Sequence, residues 1–498
     1  MNGKDMLEWM NDLDDKAVVD ADVTPVRVKK HNVWKIGLSV AAGVLVLALL
    51  SYVLYPYITG RKNNKPDTSI SDDTIVSETQ ILKSYVMASP GYPEIPENPN
   101  LSEEWDKEKA EEYRQVVNEL RNQPEGYLDG YDAYLKDVLG VVLSDTGNEN
   151  VAFSPLCLYM TLGMTAEITD GNTRQQILDV LHQPDVATLR TRAKSIWLAN
   201  YMDDGLSKLL LANSLWMKSD WIYEQSVLDI LASDYFASSY SGDPTQAEYS
   251  QAFRYWVNEQ TDGLLGDMID GLELDPELVI ALVSSVNYSG KWVQPFQDSM
   301  NRTGAFYAPS GEVSCEYMCT DKAYENYYGD HFECVALPIL ENGSVRFILP
   351  EEGKTPEELL MDEEFLQFLN TNRYEWEKSR EYYGIHLEVP KFDISSDLKL
   401  NDSLKALGIA NLFDAGSADF NPLVGKSDSV HVNSIEQKTR VMIDEEGCKA
   451  VSATILIAVD GEIQEDYELV LDRPFVFEIL SETGTPLFVG IVNNPSQS

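Results

Sequence analysis

The residues with chemical potential are sparse. Five histidines, at 31, 182, 331, 386 and 431, sit singly along the 498-residue chain, and a lone histidine is more often a surface or satisfied core residue than a general base. No G-x-S-x-G, H-E-x-x-H, G-x-x-x-x-G-K-[ST] or G-x-G-x-x-G sequence occurs, so nucleophile-elbow, zinc-protease, P-loop and dinucleotide chemistry have no visible home. With 82 Asp and Glu, chance carboxylate pairs abound and carry no argument for glycoside hydrolysis. Cys315 and Cys319, with Cys334, have a loosely metal-like spacing, yet no histidine-rich segment accompanies them. They read as strand cysteines with room for one disulfide, and five cysteines in all are too few for a disulfide-built scaffold. The expectation is no catalytic residue, no metal and no cofactor.

One segment does carry a mechanism. Residues 444–460 read DEEGCKAVSATILIAVD, uncharged from Ala450 to Val459. Strand parity puts Cys448, Ala450, Ser452, Thr454, Leu456 and Ala458 on one face and Lys449, Val451, Ala453, Ile455, Ile457 and Val459 on the other. The first face is uncharged and mostly small, so a sheet can bury it without desolvating a charge. Taken alone, the segment reads as a permanent core strand.

The elements that position this segment follow from composition and pattern. Lys and Arg number 38, giving a net charge of −44, which opposes binding to phosphate backbones and argues against a nucleic-acid partner. Nine Trp, 26 Tyr and 15 Phe supply a sizeable core. Ile36 to Gly60 holds no charged residue over 25 positions, a length of about 37 Å as a helix, enough to cross a hydrocarbon layer. About 35 residues precede the run and no small-residue cleavage site closes it, so it reads as an anchor and not as a cleaved signal. Arg27, Lys29, Lys30 and Lys35 before the run, against Arg61, Lys62 and Lys65 after it, place the N-terminus in the cytoplasm. The expected organisation is a cytoplasmic segment 1–35, a transmembrane helix 36–60, a spacer 61–125 with a proline-rich stretch and a short charged helix, and a globular domain 126–498. Helical patterns at 131–143, 156–165 and 173–181 precede alternating strands such as 345–349 and 383–389, the signature of an α+β domain with helices on a large mixed sheet.

Ordered blocks then narrow the reading. They include Asn150-Val-Ala-Phe-Ser-Pro-Leu156, Leu210-Leu-Ala-Asn-Ser-Leu-Trp216, Gly290-Lys-Trp-Val-Gln-Pro-Phe296, Val389-Pro-Lys-Phe392, Val441-Met-Ile-Asp-Glu-Glu-Gly447 and Arg473-Pro-Phe-Val-Phe477. In this order, from about residue 126 to the C-terminus, the chain resembles the serpins, in particular bacterial-type serpins with an N-terminal transmembrane segment. The resemblance implies a serpin fold, helices around a large mixed β-sheet with further sheets and an exposed reactive-centre loop. It further implies a suicide inhibitor of serine, or of cysteine, proteases, which traps the acyl-enzyme when the cut loop enters the central sheet as a strand.

The resemblance assigns roles by position. The loop hinge is Glu445, Glu446, Gly447, Cys448, Lys449, Ala450, Val451, Ser452, Ala453 and Thr454, with Cys448 and Lys449 standing where family inhibitors carry Thr or Ser and then Glu. The sheet-opening region is Ser154, Cys157, Ser284, Gln437 and Trp292, of which Cys157, Ser284 and Gln437 replace the usual Ser, Asn and His. The scissile bond is bracketed by Val459, Asp460, Gly461, Glu462 and Ile463, where no Lys or Arg lies, so an elastase-like or subtilisin-like target is expected in preference to a trypsin-like one. Few basic residues occupy 187–211, which argues against activation by a sulfated polysaccharide. The partner is a protease and the chain is expected to be a monomer, held on the cell membrane by a single pass with the inhibitory domain outside. Two rivals stay open: a non-inhibitory serpin-fold binding module, and a membrane-bound hydrolase with an unrecognised site.

Overall fold

Cap residues and apolar periodicity explain where the elements begin and end in the computed structural model, which describes residues 77–101, 106–144, 146–321, 325–340, 343–371, 376–381, 385–426, 430–448 and 467–497. Helices α1 (Glu78–Lys83) and α2 (Lys107–Arg121) flank strand β1 (Val86–Ala88). Next come α3 (Tyr131–Val142), β2 (Val151–Phe153), α4 (Pro155–Ile168), α5 (Gly171–Val180) and α6 (Val186–Asn200). They are followed by β3 (Met202–Asp203), β4 (Lys208–Lys218), α7 (Gln225–Asp234), β5 (Ala237–Gly242), α8 (Ala247–Gln260) and β6 (Ile280–Lys291). The rest is mostly strand: β7 (Arg302–Ala308), β8 (Gly311–Thr320), β9 (Glu325–Tyr328), β10 (Phe332–Ile339), β11 (Gly343–Pro350), β12 (Ser379–Glu381) and β13 (Ile385–Pro390). The last six are β14 (Phe392–Lys399), β15 (Glu436–Ile443), β16 (Gly447–Cys448), β17 (Tyr467–Val470), β18 (Phe475–Leu480) and β19 (Pro486–Val492).

Among the described residues the strands form four sheets. The six-stranded sheet has the order β1-β5-β4-β6-β16, with β3 on β4. The others run β12-β9-β10-β11-β18-β19-β2, β17-β13-β8-β7 and β14-β15. This is the α+β architecture expected from the alternation of helical and strand patterns. Helix α4 sits at its centre: Ser154 caps it, Pro155 opens it, and every residue except Thr161 is buried. A helix apolar on all sides is stable only inside. Its one acid, Glu167, takes both arms of Arg190 at 2.9 and 2.6 Å and the Tyr235 hydroxyl at 3.1 Å, so the buried charge is paired.

Helix α8 covers the opposite face of the six-stranded sheet, where Tyr249, Phe253 and Trp256 pack on Trp216 and Tyr240.

The stretch expected as a spacer is, where described, part of the compact unit Val76–Ser498. Strand β1 pairs with β5, and Asn98 and Tyr113 are buried. The composition of residues 89–100 signals stiffness, and proline-rich backbone that cannot form its own ladder can still lie along a body that supplies partners. The apolar run 36–60 lies outside the described residues. Among the described residues no helix is long and apolar enough to cross a membrane. Cys157, Cys315, Cys319 and Cys334 are buried free thiols, so no disulfide joins the three strand cysteines.

The four-stranded sheet contains a titratable cluster beside β17. His386 Nδ1 lies 2.6 Å from Asp321 Oδ1 and its Nε2 lies 3.1 Å from Glu388 Oε1. Two acceptors require both ring nitrogens to donate, so this is an imidazolium. The Asp321 bond chiefly raises the His386 pKa, burial opposes it, and Glu388 adds to it. Burial works to raise Glu388, but bonds from Arg302 and His386 outweigh it and hold the carboxyl below its ordinary range. A folded-state histidine pKa above the unfolded value gives stabilisation that is complete below about pH 6.5 and fades as pH rises through the raised value. Because the ring is partly exposed, the contribution is at most about 1 kcal/mol. Thermal melts should therefore show His386→Gln less stable than the parent at pH 6 and level with it by pH 9; a deficit that grows with pH would contradict this assignment.

Candidate functional site

Strands β6 and β15 are the two walls of the site. Each is paired on its outer side, β6 with β4 from Ile280 to Ser289 and β15 with β14 along its whole length. Among the described residues no ladder joins β6 to β15 directly, and a cavity of about 720 Å³ opens between them. Its core side is lined by Ser154, Cys157, Leu158 and Thr161, and its outer side by Phe253 and Val257 of α8. Unpaired strand edges are templates for another strand.

A turn closes the upper end. Asp444 and Gly447 exchange backbone hydrogen bonds at 3.2 and 3.3 Å around Glu445-Glu446, and Asp444 Oδ1 accepts the amides of Glu446 and Gly447 at 2.9 and 3.2 Å. The chain then returns as β16, antiparallel to β6, with Gly447 opposite Lys291 and Cys448 opposite Gly290. Gly447 has φ +137°, and a Cβ there would stand 2.3 Å from the Gly290 carbonyl oxygen. Only glycine fits that close approach in that conformation.

Side chains bolt the turn to the body. Trp292 Nε1 donates to the Asp444 carbonyl at 2.9 Å, its backbone N–H to Glu446 O at 3.1 Å, and the Phe296 N–H to Glu445 O at 3.1 Å. Glu445 is ion-paired with Lys391 and accepts from Asn301. Burial pushes the Glu445 carboxyl up, but these two partners hold it below its ordinary range. Lys291 Nζ is buried without a hydrogen-bond partner; burial lowers its pKa, against the nearby Glu446 charge.

The walls are polar where they face α4. Gln437 Oε1 accepts the Ser154 N–H at 2.7 Å while its Nε2 donates to Ser154 O at 2.9 Å. Ser154 Oγ accepts the Cys157 N–H at 3.3 Å, and Thr161 Oγ1 donates to Ser284 Oγ at 3.0 Å. Burial pushes the Cys157 thiol up to about 12, which makes it inert as a nucleophile.

Of the residues singled out in the sequence, Ser154, Cys157, Ser284 and Gln437 meet in the cavity wall, whereas Trp292 stands at the turn. Glu445, Glu446 and Gly447 form that turn, and for Cys448 the pairing with β6 is described. Lys449, Ala450, Val451, Ser452, Ala453 and Thr454 lie outside the described residues, as does the bracket Val459, Asp460, Gly461, Glu462 and Ile463. Sequence reasoning missed Thr161, Asn301 and Lys391. Lys391 was inside a quoted block, and its charge opposite that of Glu445 was the available signal; nothing in the spacing relates Thr161 to Ser284.

Comparisons with known proteins agree on one family. A family model described as Serpin (serine protease inhibitor) matches residues 136–495. "Serpin-ZXA" of Oryza sativa subsp. japonica is 28% identical over 367 residues, covering 70% of this chain and 90% of that protein. "Leukocyte elastase inhibitor" of Xenopus tropicalis is 26% identical over 370 residues, covering 72% and 97%. The crystal structure of the thermophilic serpin Tengpin in the native state superposes with a TM-score of 0.66 at 25% identity, covering 75% of this chain and 95% of that one.

The turn geometry yields an expectation of its own. Gly447→Ala forces the new Cβ against Gly290, which costs about 1–3 kcal/mol of local strain. Amide exchange at Trp292, whose N–H bonds to Glu446, should speed up at least about tenfold; unchanged protection would mean the turn tolerates a side chain.

Proposed function

The chain belongs to the serpin family, and from that premise we propose that it is a single-use protease inhibitor whose cut loop enters the cavity between β6 and β15 and traps the acyl-enzyme. The observation that carries this reading is the register already set by β16. Continuing the β6 pairing would set Ser452 opposite Val286 and Thr454 opposite Ser284. Continuing the Asp444–Gly447 bridge would set the same two residues opposite Thr439 and Gln437. Both walls give one answer. Ser284 faces α4 through Thr161, and Gln437 faces it through Ser154, so on insertion the face holding Cys448, Ala450, Ser452, Thr454, Leu456 and Ala458 would turn into the core. That is the uncharged face, and its insertion desolvates no charge.

The bracket 459–463 contains no basic residue, which favours a protease with a small apolar pocket, elastase-like or subtilisin-like; a relative named leukocyte elastase inhibitor supports the same direction. The apolar run 36–60 is the proposed single-pass anchor, with the inhibitory body outside the cell.

One feature favours the second reading, a binding module that is cut without trapping. In the proposed register Lys449 stands next to Ser289, whose other neighbour is Lys208, a side chain already paired with Asp262. Like charges crowd that face and oppose insertion.

Incubation with elastase-like, subtilisin-like, chymotrypsin-like and trypsin-like proteases separates the readings: trapping gives an SDS-stable complex, and simple cleavage gives fragments. The nicked chain should gain about ten backbone hydrogen bonds at ~1 kcal/mol each, enough to raise Tm by on the order of 10 °C; no rise would sink the proposal. Parity supplies a sharper check. Ser452→Glu buries a carboxylate against α4 and should abolish the complex, while Ala453→Glu, opposite Lys438 and Ser285, should retain most of it.

A further inference from the structure

Any strand filling the cavity must pass beneath α8, because Phe253 and Val257 of that helix line its outer side. Helix α8 is in turn gripped from outside by the segment that precedes the globular domain. Thr79 Oγ1 and the Tyr255 hydroxyl lie 2.8 Å apart, the Tyr85 ring meets Tyr249 edge-on at 4.9 Å, and Ile81, Leu82 and Tyr85 join the apolar cluster that seats α8 on β4 and β5. Strand β1 adds to the outer edge of β5, and the Ser241 N–H donates to Tyr85 O at 2.8 Å.

The far end of the segment is locked by a buried carboxylate. Asp204, in the β3–β4 turn, is buried, and its Oδ2 accepts from Asn98 Nδ2 at 2.7 Å and the Tyr113 hydroxyl at 2.6 Å, while Oδ1 takes the amides of Leu206 and Ser207. A buried carboxylate without partners is strongly unfavourable, so the body presents at Asp204 a socket that, among the described residues, this segment completes on one oxygen. Helix α2 buries Ala110, Tyr113 and Val117 on one stripe and packs on α6. Between the two ends, Tyr92 stacks on Trp197 and Tyr201 at 5.6 and 5.9 Å.

We propose that residues 77–101 and 106–121 are a brace that holds α8 down over the β6–β15 cavity and sets the rate at which a strand can fill it. The rate aspect rests on the trapping reading; the hold on α8 does not. The brace grips β1's neighbour β5, α8 and the start of β4 together, so the half-sheet and its covering helix move as one body or not at all.

Two measurements on the full-length chain test this. The paired variant Ile81→Ala with Tyr85→Ala strips the apolar grip, Asn98→Ala with Tyr113→Phe empties the Asp204 socket, and Tyr85→Phe serves as the conservative control. Amide hydrogen exchange in α8 should accelerate about tenfold or more in both stripped variants and stay at the parental rate in the control. A synthetic peptide with the sequence of residues 448–458, added to uncut protein, should raise its thermal stability about tenfold faster in the stripped variants. Unchanged α8 exchange overturns the brace. Exchange that rises while the peptide adds at the parental rate overturns its control over filling. A peptide that stabilises no chain, parent included, overturns the trapping reading, and α8 exchange then still decides the hold.

Discussion

Everything in the site depends on the two-residue turn between Asp444 and Gly447. It fixes three things at once: the direction in which the chain leaves β15, the strand it meets, and the register of that meeting. A side-chain period of two means that a shift of one residue would turn Lys449 and its companions toward α4. The body therefore spends much of its local bonding on this turn. Trp292 and Phe296 hold its carbonyls, Lys391 and Asn301 hold its Glu445 side chain, and Gly290 leaves the room that Gly447 uses.

The walls beyond the turn combine two requirements that pull apart. A strand acceptor needs open backbone edges, yet buried polar groups need partners. The side chains resolve this by satisfying each other across the core side of the gap, Gln437 with Ser154 and Thr161 with Ser284, while among the described residues the facing edges of β6 and β15 beyond the short β16 pairing carry no ladder. The Gln437 amide both donates and accepts, bridging β15 to Ser154 at the start of α4, and Thr161 of that helix reaches Ser284 on β6.

Much of this was legible in the sequence, for stated reasons. The helices at 131–142, 155–168 and 171–180 follow from apolar periodicity and caps, because those signals are local. The spacer was misread for the converse reason. Prolines and charges in 89–121 describe a segment unable to form a core of its own, but not one that borrows a core; nothing near Asn98 or Tyr113 in sequence announces Asp204, about a hundred positions away. Thr161 and Ser284 were illegible for the same reason, since their contact exists only once α4 and β6 cross.

Chain length explains why the gap can coexist with an uncut loop. The loop leaves at Cys448 and must rejoin β17 at Tyr467, which stands opposite Ile385 at the start of β13, whereas Lys391, the residue that follows β13, is paired with Glu445 of the turn. In the trapping reading, each residue that enters the gap from an intact loop must be matched by one that returns, so the 18 residues 449–466 admit a penetration of fewer than about nine. Such a partial strand places Ala450 to Ala453 against the upper walls. It leaves Ile457 and Ala458 short of Ala281 and Ile280, the positions that the continued register gives them. In that reading the burial of Ile457 and the residues beyond it, at roughly 25 cal/mol per Å², is withheld from the intact chain and released by one peptide-bond cleavage, after which nothing has to come back.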